Sequence, residues 1–279
     1  MSGNLYFDEL NPLFRQAVSA IDEGDAKGLE RLLADHPGLM RERAECGEGY
    51  FRRPYLLWFA AENPIRTGRM SANVIKVVRV MIRAAERDRV ESLQAQLDYM
   101  LMLVSSGMVA RECGAQLGLI DELAGAGADP SGALIPALAH RELAAAEKLL
   151  EYGAPLTLTA AVCTRRLEEM KRLGPGAGAD DKRTALAAAA LYGDAEALAY
   201  VIGLGVDLNA FSPKGFHPHA TALHQAVNSG SLEAVKLLVE SGADLHVKDT
   251  GFQSTPLGWA EHLERSEIAE YLREKLWAV

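Results

Sequence analysis

The chain has 279 residues, 49% of them hydrophobic but only 6% aromatic, and a net charge of −9. That balance, rich in alanine and leucine, favours helix over strand and supplies enough apolar material to exclude disorder. The negative charge argues against wholesale nucleic-acid binding, which needs a basic footprint.

In chain order, residues 12–37 (PLFRQAVSAIDEGDAKGLERLLADHP) read as two helices split at Glu23-Gly24-Asp25. Next come PYLLWFAAEN, an eight-residue connection from Pro64 to Ser71, and the helix NVIKVVRVMIRAAE, for which Ser71 or Asn73 is the candidate N-cap. A third pair, Leu93 to Val104 and Ala115 to Gly125, is separated by SSGMVARECG. Residues 132–152 form a pair broken at His140-Arg141, and residues 156–173 a shorter one. Ala195 to Leu208 and Ser231 to Leu245 are amphipathic helices, each closed by a glycine, Gly205 and Gly242.

An internal repeat underlies this order. Thr221-Ala-Leu-His-Gln-Ala226 recurs 34 positions later as Thr255-Pro-Leu-Gly-Trp-Ala260, and 37 positions earlier as Thr184-Ala-Leu-Ala-Ala-Ala189. The three threonines are expected to cap their helices, with the Thr221 hydroxyl accepting the N–H of His224. Stop glycines continue upstream: Gly127, Gly153, Gly178, Gly205 and Gly242 are 26, 25, 27 and 37 residues apart. The unit is therefore helix, tight turn, helix, glycine stop and loop. One such pair cannot bury its apolar face, so neighbours must stack.

The repeat resembles the ankyrin repeat. TALHQAVNSGSLEAVKLLVESGADLHVKD matches nearly one whole unit and STPLGWAEHLERSEIAEYL most of the next. The resemblance implies an all-α ankyrin-repeat solenoid of about eight stacked helix-turn-helix units, with short or missing hairpin fingers in the middle. A single array over 1–279 is expected: irregular units with long connections over 1–126, short degenerate units over 127–179 and well-matched repeats over 180–279. In such repeats the histidine at position 224 ties its helix start to neighbouring loops.

Candidate contact residues fall in four places. GYFRRPY sets Tyr50, Phe51, Arg52 and Arg53 in a loop, with Trp58 following. An arginine-plus-aromatic cluster suits carboxylate-bearing partners and interface anchors, although either arginine could simply pair with an acidic neighbour. The two long connections carry Asn63, Arg66 and Arg69, and Arg111, Glu112 and Cys113; they are expected to project from one edge and form a joint surface. In PKGFHPHA, Phe216, His217 and His219 occupy the room left by the 37-residue interval. An extended backbone would point both imidazoles the same way, but Pro218 and the lack of a third ligand beyond Asp207 or His246 favour a polar contact surface over a metal. Trp259 is expected either to face a partner or to pack beneath Trp277 at the end of the array.

No G-x-S-x-G, P-loop, H-E-x-x-H or dinucleotide fingerprint occurs, and GPGAGAD at 174–180 reads as a flexible turn. Cys46, Cys113 and Cys163 are few, odd in number and far apart, which fits a reducing compartment. MSGNLYFDEL lacks the pattern of a signal peptide, and no apolar run approaches the ~18 residues that span a bilayer. The expected protein is a cytoplasmic, monomeric, non-catalytic interaction scaffold that uses its concave face and loops, without cofactor, metal, nucleic acid or membrane. Residues 41–90 hold eleven Lys/Arg against six Asp/Glu, so an acidic protein patch is the expected target. The alternative is a small-molecule- or metal-binding protein or enzyme with a pocket among the irregular N-terminal units.

Overall fold

A computed structural model describes residues 7–277, and every structural statement below refers to these. The expectation drawn from MSGNLYFDEL falls largely outside them. The chain is all-α, an ankyrin-type stack of helix pairs with only two isolated β-bridges, Arg43 to Tyr55 and Phe211 to Thr221. No helix is long and apolar enough to cross a membrane. The fold divides into two compact units, Met1–Ala154 and Pro155–Val279.

The first unit opens with α1 (Pro12–Glu23) and α2 (Ala26–Asp35), split where the sequence places the break. Asn11 caps α1, Gly24 closes it in the left-handed conformation, and Asp25 caps α2. The next pair departs from expectation. Leu56–Ala61 is a 3-10 segment rather than an α-helix, and its partner is α3 (Val74–Arg87). Pro54 and Pro64 bound the segment on either side. All six residues of the segment are buried. It therefore fills the place of a first helix by its apolar content alone. Asn73 stands at the N-terminus of α3 but makes no capping bond; its amide donates to Gly24 O at 3.3 Å.

The third pair is α4 (Leu93–Ser105) and, after a short α5 (Met108–Glu112) within the connection, α6 (Gln116–Gly125). The fourth is α7 (Ser131–Ala139) with α8 (Leu143–Glu151). Contacts run in two rows. One passes from α1 through the 3-10 segment and α4 to α7; the other passes from α2 through α3 and α6 to α8. Each pair thus buries its apolar faces against the next, as stacked repeats must.

The second unit pairs α9 (Leu158–Cys163) with α10 (Leu167–Leu173), and α11 (Ala179–Tyr192) with α12 (Ala195–Gly203). It continues with α13 (Ala222–Ser229) and α14 (Leu232–Glu240), then α15 (Pro256–His262) and α16 (Ser266–Trp277). First helices pack as α9, α11, α13 and α15 in succession, and second helices as α12, α14 and α16.

Two expectations need correction here. Thr184 does not cap α11. The helix starts five residues earlier, and the Thr184 hydroxyl donates back to Asp180 O at 2.8 Å. The upstream extension lets Asp181 accept the N–H groups of Leu158 and Thr159 at 2.9 and 3.0 Å, so one helix's acid satisfies the open start of α9. Gly178 likewise begins α11 rather than ending α10, which stops at Gly174-Pro175-Gly176.

Candidate partner-binding site

In the second unit, the start of α13 organises the surrounding loops. His224 is fully buried; its Nδ1 lies 2.8 Å from the Thr221 hydroxyl and 3.4 Å from the Thr221 N–H, and its Nε2 lies 3.1 Å from Ser254 O. The carbonyl can only accept, so Nε2 carries the proton and Nδ1 accepts from Thr221. Burial lowers the pKa of this ring and keeps it neutral. His224 is therefore a structural tie between one helix start and the next loop.

Ser254 belongs to the finger that leads into α15, and Asp249 builds that finger. This fully buried carboxylate accepts the N–H groups of Gly251, Phe252 and Ser254 at 2.8, 2.6 and 3.0 Å, and the Trp259 indole N–H at 3.0 Å. Burial pushes its pKa up, but the bonds from Phe252, Trp259, Ser254 and Gly251 outweigh burial and hold it at about 2. Four donors on one charge make a stiff loop. At its tip Phe252 stands 79% exposed. A pocket of about 570 Å³ opens beside it, lined by Asn228, Ser254, Trp259, His262 and Leu263.

Trp259 is half-buried in this cluster, 5.1 Å from the His224 ring and 6.0 Å from the His219 ring. It does not pack beneath Trp277, which is 83% exposed. His217 and His219 have ring centroids 6.1 Å apart and nearly perpendicular planes. The His219 carbonyl accepts the Thr250 N–H at 2.9 Å, joining the histidine loop to the finger. Phe216 is buried beneath that loop, its ring edge-on to His217, so it supports the loop and offers a partner no surface.

The first unit contains a second concavity. Tyr50 donates its hydroxyl to Asn63 Oδ1 at 2.9 Å, and Asn63 Nδ2 reaches Leu103 O at 2.9 Å and Ser106 Oγ at 3.3 Å. Tyr99 donates to Tyr50 O. These bonds join the GYFRRPY loop and both long connections around a groove of about 580 Å³. Its polar side chains are bonded chiefly to one another or to backbone, which leaves an apolar lining.

Of the other expected contact residues here, Arg52 is exposed and Arg53 is exposed but paired with Glu45 at 2.6 Å. Phe51, Trp58 and Arg66 are buried, which corrects their expected place on a contact surface. Phe51 meets Phe59 edge-on at 5.4 Å. Trp58 donates to Gln96 O at 3.1 Å and packs between Tyr55 and Tyr99. Arg66 pairs with Asp22 at 2.7 Å and Glu62 at 2.8 Å and donates to Phe59 O at 3.0 Å. Glu62 also accepts the N–H groups of Arg66, Thr67 and Gly68, so it folds the connection on itself. Arg111 is half exposed and reaches the buried Glu142 at 2.6 Å.

Burial raises the Cys46 thiol to about 11 and the Cys163 thiol to about 12, so neither supplies a thiolate near neutral pH. Sequence reasoning overlooked Asp249, Phe252, His262, Leu263 and Tyr99. Only Asp249 carried a local signal, an Asx-turn pattern in Asp249-Thr-Gly251.

With the geometry in place, the comparisons are consistent. A family model described as ankyrin repeats (3 copies) matches residues 108–249 and 214–276. Protein phosphatase 1 regulatory subunit 27 of Mus musculus is 48% identical over 68 residues, 24% of this chain and 40% of that protein. Its Homo sapiens counterpart is 46% identical over 67 residues, with the same shares. The chain thus spans about two fifths of the length of these curated relatives, an overlap of about two ankyrin units. The family match takes in more than half of the chain together with the Thr221–His224 tie and the Asp249 finger, and the chain belongs to the ankyrin-repeat family.

Proposed function

We propose that the chain is a non-catalytic scaffold that binds another protein through the first-helix side and loops of its second unit. The observation that carries this reading is the finger at 249–255. Phe252 is held out in solvent by a loop fixed at three backbone N–H groups, beside a pocket lined by Trp259, His262 and Leu263. An exposed aromatic on a loop whose backbone is already fixed, next to an apolar hollow, loses little backbone entropy on docking, which favours its use as an interface anchor. A structural role alone would bury Phe252. The curated relatives are named as regulatory subunits of a phosphatase, which agrees with a binding role. We place the protein in the cytoplasm as a monomer, and keep an acidic protein surface as a separate contact of the first unit's basic segment at 41–90, where Arg53 and Arg66 are already paired and Arg52 is exposed.

The test is recovery of partners from native lysate on immobilised protein, comparing the unaltered chain with Phe252→Asp and with Arg52→Ala/Arg53→Ala. Loss of specific partners with Phe252→Asp, at unchanged stability, is the expected result. Equal recovery by Phe252→Asp removes the finger from the binding site. Equal recovery by the double arginine variant removes the acidic-target argument.

A further inference from the structure

The pocket beside the Phe252 finger has a negative charge directly behind its wall. Asn228, Phe252, Ser254, Trp259, His262 and Leu263 line it. Three of these hand an N–H to Asp249: Phe252 at 2.6 Å, Ser254 at 3.0 Å and the Trp259 indole at 3.0 Å. Gly251 adds a fourth donor, and a fully buried carboxylate faced by donors alone stays ionised. Among the described residues no lysine or arginine forms an ion pair with it; Lys248 precedes it in the chain but is exposed.

A carboxylate that is hydrogen-bonded but not matched by a cation keeps its field in the protein interior, where water screens it little. Here that field reaches the pocket across a single hydrogen bond. The walls act in the same sense, because Phe252 and Trp259 supply aromatic rings, whose faces are the negative part of the π-system. The rest of the lining carries no fixed charge. The side chains of Asn228, Ser254 and His262 make no bond among the described residues, so they present an amide, a hydroxyl and a ring nitrogen as free acceptors. Arg265 reaches Asn228 O at 3.5 Å but does not line the pocket, and Glu261 is taken up by Arg273 at 2.7 Å.

Such a pocket repels an anion, and an uncharged anchor leaves its field unanswered. A cation answers it, and among side chains a guanidinium does so best. It is flat enough to stack on a ring, it brings five donors to the free acceptors, and it is more weakly hydrated than an ammonium group, so it gives up less on entering. We infer that this pocket takes an arginine side chain of the partner protein, held against the rings of Phe252 and Trp259 over the buried charge of Asp249. The inference rests on the reading of the finger as the docking site and names what docks there.

A random heptapeptide library displayed on phage and selected on the full chain tests it, with the enriched peptides then measured by fluorescence anisotropy. Enriched peptides should share an arginine. Citrulline in its place, which keeps the shape and loses the charge, should weaken binding about tenfold or more, and lysine about threefold. Phe252→Leu, which keeps an apolar tip but removes its ring, should weaken binding about threefold or more, and Phe252→Tyr should leave it near full strength. Phe252 is 79% exposed, so neither change should disturb the fold. Asp249→Asn should narrow the gap between arginine and citrulline peptides, a ratio that loss of stability alone does not move. Equal binding of the arginine and citrulline forms, or enrichment of nothing above background, overturns the inference. Arginine peptides that ignore Phe252→Leu bind elsewhere on this acidic chain and refute the pocket. Arginine amide that binds alone as tightly as the peptides overturns the protein source. Peptides without arginine that are lost with Phe252→Asp uphold the finger as the docking site and refute its cation.

Discussion

The two units stack helix pairs in the same way but satisfy their loops by different means. In the second, short ties between near neighbours recur: Thr157, Asp194, Ser231 and Thr255 each cap the helix they precede, and Asp249 closes its own finger. In the first, the ties are long in sequence. Gln96 donates to Met40 O, Trp58 to Gln96 O, Asn63 to Leu103 O, and Arg66 reaches Asp22. The comparison shows what a repeat motif accomplishes. It satisfies many polar groups locally, and its longer ties, such as His224 Nε2 to Ser254 O and Asp181 to the N–H groups that open α9, reach only to the adjacent helix pair. Where the motif is missing, buried side chains from other pairs must meet the same backbone groups, and the loops are free to take other shapes.

That contrast can be broken in order of expected effect. Arg66→Ala should cost the most, about 3–5 kcal/mol in urea unfolding, because it leaves buried Glu62 without its cation and uncovers Asp22. A loss below about 1 kcal/mol would mean that the first unit does not depend on this pair. Asp249→Asn should cost about 1.5–3 kcal/mol, since an amide offers one acceptor oxygen where the carboxylate receives four donors. Hydrogen exchange should rise at Gly251, Phe252 and Ser254 and stay unchanged at the Glu62 loop. Thr255→Ala, which removes a single cap from α15, should cost about 1 kcal/mol in a thermal melt.

Acid should distinguish the units as well. The neutral, buried His224 has a folded pKa below its unfolded value, so the unfolded chain binds the extra proton. Its contribution is complete above the unfolded histidine pKa and declines as pH falls through the folded one. Asp249, at about 2 when folded, contributes above the ordinary carboxylate range and loses that contribution as pH drops towards 2. Residue-resolved exchange between pH 7 and pH 4 should therefore show α13 and its loops opening before α4. Replacing His224 by Gln should flatten the upper part of that dependence.

Much of this fold is readable because its signals are local. Thr221-x-Leu-His224 and the left-handed glycines at 127, 153, 205 and 242 mark helix starts and stops directly, and the pairs at 12–35 and 131–151 follow from apolar spacing. Leu56–Ala61 was not legible because an unbroken apolar run has no period. Thr184 was misplaced because Asp181, acting on a different helix, draws the start of α11 upstream. The candidate site was harder still. Phe51, Trp58, Arg66 and Phe216 have the chemistry of contact residues, yet each is consumed by partners remote in sequence or beneath its own loop. Phe252 offers no pattern at all, and only the fold shows that nothing covers it.

Site-specific photo-crosslinking in the native host tests the central claim most directly. A photoreactive residue replaces Phe252 at the finger tip, and in a parallel strain Lys236 on the opposite, second-helix side of the same unit. Discrete crosslinked protein species from position 252 that are missing from position 236 are the predicted result. Equal crosslinking from both positions, or none from 252, would contradict a scaffold that binds its partner through the finger.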